Sequence, residues 1–474
     1  MDQDPILAAF DHLVRQRGDR VLVVSPQRRA TVAEVMALAD VVKDRVGGVG
    51  LPFGSLVGLT APNGSAFFAG YLGLRRAGFR VLLIDSPVPF VELDRIVLAI
   101  GAVGSMVVRR AWPDRAEDFE FRPSSRAESL AQLPAAVSTV RLSSGSTGQS
   151  CGIAHTSEAL LLDDMALRRT MGLKDERVLA AIPLSHAYGF SSIFIPAITA
   201  GWVVVVPEGG GPFDPIAAAS SEEVTFLPTV PAYLNSLLKL AEPPALPQSL
   251  RLVISAGAPL RPDTAVRFRE TYARSVHVFY GASEVGGITF DRVGTAAERG
   301  TLGSVVEGVS IQLISEADEE PGTGVVVVES PSAAVGYFPE PDDRLQGGRF
   351  RTSDLGRFDG SELVLLGRMD DVINIRGKKV SPREVEAVLE DLPGVDEAIV
   401  VRLLALDGSG DVIQAVVTSR EEGLTDAALI VACRSRLAAH KVPRRIRIVG
   451  EIPRTSRGKI DFEIVRSLLL EPGA

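Results

Sequence analysis

Cysteine is almost missing from this chain. Its 474 residues include two, Cys151 and Cys433, far apart in sequence, so neither a disulfide framework nor a zinc ribbon can be built. The five histidines, His12, His155, His186, His277 and His440, fall at no metal-ligand spacing. An excess of basic charge is lacking too: 50 basic residues against 59 acidic ones leave a formal net charge of −9. That balance argues against an extended nucleic-acid surface, leaves a local basic cleft open, and suits a protein that handles small molecules. The first residues, MDQDPILAAFDH, are acidic and lack the basic-then-apolar order of a secretory signal, so a cytoplasmic location is the default expectation. One stretch needs weighing against a membrane span: residues 189–207 (GFSSIFIPAITAGWVVVVP) carry no charge and just reach the length of a spanning helix. Pro196 and Gly201 interrupt the run, and its β-branched end reads as a buried strand. The expectation is a buried helix followed by a buried strand, with no membrane span.

What is present is enough apolar residue, 46% of the chain, to fill two to four domains or subdomains of roughly 100–200 residues. Over the first 290 or so residues, helical and strand patterns alternate. Thr31 and Glu34 form a capping-box pattern, followed by Val35, Leu38 and Val42 at helical spacing. Strand-like runs at 55–61, 80–85, 105–109 and 138–144 alternate with helical segments that include 64–77 and 91–100. This order predicts an α/β fold with largely parallel sheets and helices on both faces. From about residue 300 to 366 the texture becomes β-rich (SIQLIS, GVVVVES, ELVLLG), with a polar surface loop expected at 339–349. Beyond a boundary near 368–371 come a strand (VINI), a helix (382–391), two strands (EAIVVRL, DVIQAVV), a helix (425–439), a strand (RRIRIV) and a helix (461–470). The expected division is thus a large N-terminal domain, 1–368, and a small α+β C-terminal domain, 369–474.

Chemistry concentrates in a few short motifs. Ser143, Ser144, Gly145, Ser146, Thr147 and Gly148 follow the strand-like STVRL. Small residues and hydroxyls after a buried strand offer the donors that hold nucleotide phosphates. The same composition also fits a plain linker, and no Gly-Lys-Ser/Thr follows to make a Walker loop. Next come PLSHAYG with His186, SAGAPL with Gly257, Ala258 and Pro259, and YGASE with Tyr280, Gly281, Ser283 and Glu284. The last would place an aromatic ring, a hydroxyl and a carboxylate at a strand's carboxyl end, where α/β sheets bind ligands. FRTSDL with Asp354, GRMDD with Arg368 and Asp370, and PRTSRGKI with Lys459 complete the series. Each alone has a bland reading as a turn, a surface charge cluster or a helix start.

Together and in this order, the seven motifs resemble the acyl-adenylate-forming superfamily of acyl- and aryl-CoA synthetases, luciferases and adenylation domains, over residues 30–465 or so. The resemblance implies that residues 143–148 hold the β- and γ-phosphates of ATP. It implies that Glu284 helps bind Mg²⁺ and that Ser283 reaches the α-phosphate. It lays the backbone of Gly257, Ala258 and Pro259 against adenine, with Tyr280 and Gly281 on the other side, and gives Asp354 and Arg368 the ribose. His186 would gate the carboxylate pocket. Asp370 would be the hinge of a mobile C-terminal domain, Gly377 would line a thiol tunnel, and Lys459 would be the cation at the reaction. The implied reaction is ATP-dependent activation of a carboxylic acid, followed by thioester formation with CoA or with the phosphopantetheine arm of an acyl carrier protein. A non-catalytic nucleotide or acyl sensor is the reading from another class.

Three positions depart from the family pattern: Cys151 stands where a loop lysine is usual, Ser283 replaces threonine, and Asn374 replaces a lysine near the hinge. The aspartate that holds an amino acid's α-amino group has no obvious counterpart. Gly286 and Gly287 would leave room beside the acyl group, which favours an apolar acyl chain or an aryl ring. Residues 372–382 lack the insertion typical of carrier-feeding fatty-acyl ligases, which favours CoA.

Overall fold

The computed structural model describes residues 4–124, 133–143, 151–209, 211, 213–315, 322–368, 373–375, 378–380, 382–404, 411–419, 421, 423–437, 439–454 and 460–470. The chain divides into two compact units. The first comprises Met1–Gln312, Val327–Arg351 and Asp359–Leu363; the second comprises Leu313–Val326, Thr352–Phe358 and Val364–Ala474.

In the first unit, one sheet runs in the order Gly336–Phe338, Cys151–Thr156, Val137–Ser143, Arg80–Ile84, Leu56–Thr60, Gly104–Val108 and Phe119–Pro123. The four strands from Val137–Ser143 to Gly104–Val108 are parallel and the flanking ones antiparallel. A second sheet carries six parallel strands: Val21–Val24, Val203–Val205, Arg177–Leu179, Phe226–Thr229, Leu252–Ser255 and His277–Ala282. Gly286–Phe290 then turns back antiparallel along the last of these. Buried parallel strands read as continuous apolar runs, and Leu56–Thr60 is buried at every residue. The helix Val32–Gly47 starts on the expected box: Glu34 Oε2 accepts from Thr31 N at 2.7 Å and Thr31 Oγ1 accepts from Glu34 N at 3.2 Å.

The uncharged stretch 189–207 becomes Ala187–Gly189, a π turn Phe190–Phe194, a helix Ile195–Ala200 and the strand Val203–Val205. This is the expected buried helix and strand. Its rings pack on the helix Ser65–Arg76, with Phe67 and Tyr71 set edge-on to Phe194 at centroid distances of 5.2 and 5.0 Å. Each such pair contributes about 1 kcal/mol beyond burial, and they join elements of the two sheets into one core. Trp202 lies in that core, fully buried, with its indole N–H donating to Lys174 O at 2.7 Å. Among the described residues no helix is long and apolar enough to cross a membrane.

Part of the β texture differs from expectation. Within the polar 339–349 segment, Leu345–Gln346 pairs with Arg349 and Phe350, because Gly347 and Gly348 both adopt positive φ and close a two-residue hairpin. The longest strand described, Arg349–Asp359, is polar at most positions and has no apolar run to announce it.

In the second unit, Glu397–Leu404 pairs antiparallel with Asp411–Thr418, which pairs parallel with Arg445–Val449. Val385 and Leu389 of the helix Pro382–Glu390 share one core with Leu429 and Cys433 of the helix Asp426–Arg436. Val465 and Leu469 of the helix Phe462–Leu470 pack in another with Val401 and Val416. The Asp426–Arg436 helix stops short of residue 439, because Leu437 is already extended. A short strand, Lys378–Val380, pairs with Ile373–Ile375, although no separate strand pattern marks it.

Candidate active site

Three of the motifs converge in the first unit. His186 caps the Ala187–Gly189 turn, its Nδ1 accepting from Tyr188 N at 3.4 Å, and its ring is exposed. The Tyr188 hydroxyl donates to Ile254 O at 3.4 Å, one residue before Ser255. The Tyr188 ring lies 5.9 Å from that of Phe279, next to Tyr280. PLSHAYG, SAGAPL and YGASE are thus tied together through one tyrosine. Behind them, Asn63 donates to Ala180 O and Ile182 O and accepts from Leu184 N, at 2.9–3.0 Å, locking the loop that leads to His186.

Gly257 has φ +82°, a conformation glycine adopts without strain. A Cβ there would meet only Val230 Cγ1, at 3.9 Å. With Ala258 and Pro259 also exposed, the segment is an open ledge, poor in side chains, against which a planar ring can lie. Tyr280 and Gly281 sit within the strand His277–Ala282 rather than beyond its end, because the hairpin with Gly286–Phe290 extends it, with a register shift between the two residues. A Cβ at Gly281 would meet Gly286 O at 2.8 Å. Ser283 and Glu284 form the turn of this hairpin and are half-buried. Glu284 Oε1 accepts from the Tyr337 hydroxyl at 2.7 Å. Burial, then the Glu284 charge, push that hydroxyl far above the usual tyrosine range.

No group of three or more His, Cys, Asp or Glu able to hold a metal occurs among the described residues. A single carboxylate such as Glu284 fits Mg²⁺ all the same, because that ion is commonly bound by one or two carboxylates with substrate phosphates and water completing its shell.

Cys151 opens the strand Cys151–Thr156, paired to Ser143. Its Sγ lies 3.5 Å from Phe338 O. Burial pushes the thiol up, and the carboxylates of Asp342, Glu340 and Glu284 add to that against the Phe338 hydrogen bond.

In the second unit, Arg368 Nε stands 3.6 Å from Asp354 Oδ1. Asp354 N donates to Thr352 Oγ1 at 3.0 Å, and Thr352 Oγ1 donates to Val326 O at 2.8 Å. These bonds anchor the backbone at Asp354, and its carboxylate lies beside a guanidinium. Ser144, Gly145, Ser146, Thr147, Gly148, Asp370, Gly377 and Lys459 lie outside the described residues, and Ser143 is described in its backbone alone.

Gly286 and Gly287 do not leave room for a ligand. A Cβ at Gly286 would fall 2.2 Å from Asp163 Oδ1, and one at Gly287 would fall 2.5 Å from Leu167 Cδ2. The helix Ser157–Met171 takes that space. The motifs also left several residues unmarked: Tyr188, Tyr337, Arg141 and Asp163. The last two had a signal, since each is a charge set in an apolar pattern (STVRLSS and ALLLDDMAL).

A cavity of about 720 Å³ opens at the carboxyl ends of strands from both sheets, lined by Asn63, Arg28, Arg110, Trp112 and Glu208 among others.

The sequence pattern of the AMP-binding enzyme family matches residues 10–338. The chain belongs to that family. The pattern of the family's C-terminal domain matches residues 384–459. A long-chain-fatty-acid–CoA ligase of Mycobacterium tuberculosis is 26% identical, over 92% of this chain and 93% of its own. A feruloyl-CoA synthase of an Amycolatopsis species is 28% identical, over 86% and 87%. The ATP-bound crystal structure of MatB from Rhodopseudomonas palustris superposes with a TM-score of 0.83 at 21% identity, covering 98% of each chain. That likeness shows that the two chains share a fold.

Proposed function

We propose that this AMP-binding enzyme couples ATP to the activation of a carboxylic acid as its acyl-adenylate, then transfers the acyl group to a thiol, CoA being the favoured acceptor. The observation that carries the reading is the convergence of the open Gly257–Pro259 ledge, Tyr280 and the Glu284 turn at the carboxyl ends of the parallel strands. The curated relatives, CoA ligases for a fatty acid and for an aromatic acid, support an apolar acyl or aryl substrate.

In the first half-reaction a carboxylate oxygen attacks the α-phosphorus and pyrophosphate leaves. Two anions must approach, so the site has to supply positive charge and donors where negative charge builds. Ser143 to Gly148 hold the β- and γ-phosphates, Ser283 reaches the α-phosphate, and Lys459 meets the bridging oxygen. Mg²⁺ held by Glu284 and the phosphates would neutralise the leaving group. The ledge and Tyr280 orient adenine, and Asp354 with Arg368 holds the ribose. In the second half-reaction the thiol sulfur attacks the acyl carbon and AMP leaves. Asp370 is the hinge that lets the 369–474 domain withdraw Lys459 and bring Gly377 to the thiol path, while His186 gates the acyl carboxylate.

The test is acid-dependent pyrophosphate release over a panel of fatty and aromatic acids, with CoA, with a carrier protein, and with neither. Turnover completed by CoA supports the reading. Turnover completed by a carrier protein alone moves the acceptor. ATP binding with no turnover on any acid would leave a sensor in place of an enzyme.

The Cys151 position carries its own prediction. Glu284, Glu340 and Asp342 surround it with negative charge, so an ammonium there would be well placed between carboxylates and phosphates. Cys151→Lys is expected to lower KM for ATP several-fold with little change in kcat. An unchanged KM would mean that the missing lysine contact is immaterial.

A further inference from the structure

We propose that Arg141 and Asp163 are positioning residues of the adenylating site: two buried side chains of opposite charge, the first hydrogen-bonded to Ser191 and the second to the Gly287 N–H, which hold the segments bearing Ser143, His186 and Glu284 in place. The inference rests on the functional reading above and adds residues that touch neither ATP nor the acid.

Arg141 lies on the strand Val137–Ser143, two residues before the strand's end, and is 2% exposed. Its Nη2 donates to Ser191 Oγ at 3.1 Å, and its guanidinium stands 5.2 Å from the Phe190 ring centre. Both partners belong to the π turn that follows His186. Asp163, on the helix Ser157–Met171, is 3% exposed. Its Oδ1 accepts from Gly287 N at 3.0 Å, in the strand that leaves the Glu284 turn. Gly286 has φ +76° and no space for a Cβ against the same carboxylate, so the carboxylate and the turn are held at a fixed separation. Three segments that diverge in sequence are therefore each gripped a few residues from a site residue.

Burial works against both charges, lowering the Arg141 guanidinium to about 10 and raising the Asp163 carboxyl, while each favours the other's charged form. The Gly287 N–H and the Ser191 hydroxyl also hold the Asp163 carboxyl down. Stability does not require such a pair. Well-packed apolar residues of similar volume are often equally stable or better, although removing one partner alone is costly. Arg141 Nε and Asp163 Oδ2 have no hydrogen-bond partner among the described residues. What ions and a directed hydrogen bond add over leucines is orientation, and a reacting group misplaced by 1 Å can lose about 100-fold in rate.

The test uses the full chain and three variants. Ser191→Ala removes the hydrogen bond that Arg141 Nη2 makes and leaves both charges in place. Asp163→Asn keeps an acceptor for Gly287 N and removes the charge. The double variant Arg141→Met/Asp163→Leu neutralises the site. For each, the thermal midpoint, the fraction of molecules that bind ATP, and kcat and KM for acid-dependent ATP–pyrophosphate exchange are measured, with rates expressed per ATP-binding molecule. Expected are a Ser191→Ala variant with a modestly lowered midpoint and, per ATP-binding molecule, kcat about tenfold down, a larger loss for Asp163→Asn, and a double variant that is stable yet slow. A double variant with kcat and KM within twofold of wild type would overturn the proposal. So would Ser191→Ala and Asp163→Asn variants that lower only the midpoint or the active fraction. A wild-type chain that exchanges pyrophosphate with no acid overturns the functional reading and takes this inference with it, whereas active wild type beside unaffected variants overturns the inference alone.

Discussion

Lys459→Ala is expected to slow adenylation by a factor on the order of 10²–10³, the usual cost of removing one preorganised charge or donor from a transition state. The lysine is asked to meet negative charge gathering on the α-phosphate and the bridging oxygen, a demand confined to the first half-reaction. Formation of thioester from a supplied acyl-adenylate should therefore proceed at near wild-type rate. Two assays separate the steps: acid-dependent ATP–pyrophosphate exchange, and thioester release from pre-formed adenylate and thiol. Equal loss in both would contradict the role. If Cys151 stands where relatives place a phosphate-binding lysine, as its sequence position implies, the loss should lie toward the upper end of the range.

Gly286→Ala is expected to be among the most damaging single-methyl changes in the first unit. The added Cβ would sit 2.2 Å from Asp163 Oδ1 on a backbone with φ +76°. Overpacking in a dense core costs about 1–3 kcal/mol, and a left-handed conformation costs a non-glycine residue roughly 1–2 kcal/mol more. Relief by moving Asp163 would break its bond with Gly287 N. The prediction is a thermal midpoint lowered by several degrees together with loss of exchange activity. Gly300→Ala makes the control: Gly300 has a similar φ of +70°, with no atom within 4 Å of its added Cβ. A Gly286→Ala variant no less stable than Gly300→Ala would show that Asp163 yields easily, which would also weaken the positioning argument.

Gly286 and Gly287 show what a sequence leaves open. Small residues beside a motif announce that something approaches closely, but not what. A substrate and a helix leave the same signature, and here Asp163 and Leu167 of the helix Ser157–Met171 fill the space. The alternation of helices and strands was legible because parallel strands buried on both faces read as apolar runs and helices as a 3.6-residue repeat. The uncharged 189–207 stretch resolved correctly for the same reason, once Pro196, Gly201 and its β-branched end were weighed. The Arg349–Asp359 strand was not legible, because its polar residues carry no face pattern strong enough to see. The candidate site residues were visible as motifs, so the tyrosine that ties three motifs together, Tyr188, was visible only as a letter within one of them. Arg141 and Asp163 were readable as misfits, charges in apolar company, yet their connection spans the fold and appears in no local window.

The chain has two tryptophans, and the structure gives them different optical environments. Trp202 is sealed in the core with its indole N–H satisfied, so its emission should be blue-shifted, resist collisional quenchers and change only when the first unit unfolds. Trp112 is half-buried against the core and borders the cavity at the strands' carboxyl ends, so its emission should lie to the red of that of Trp202 and be the more readily quenched by acrylamide. Replacing Trp112 with phenylalanine would leave a single intrinsic reporter of unfolding, free of any signal from solutes entering that cavity. Stability of the variants could then be followed by fluorescence in the presence of ATP without an extrinsic dye.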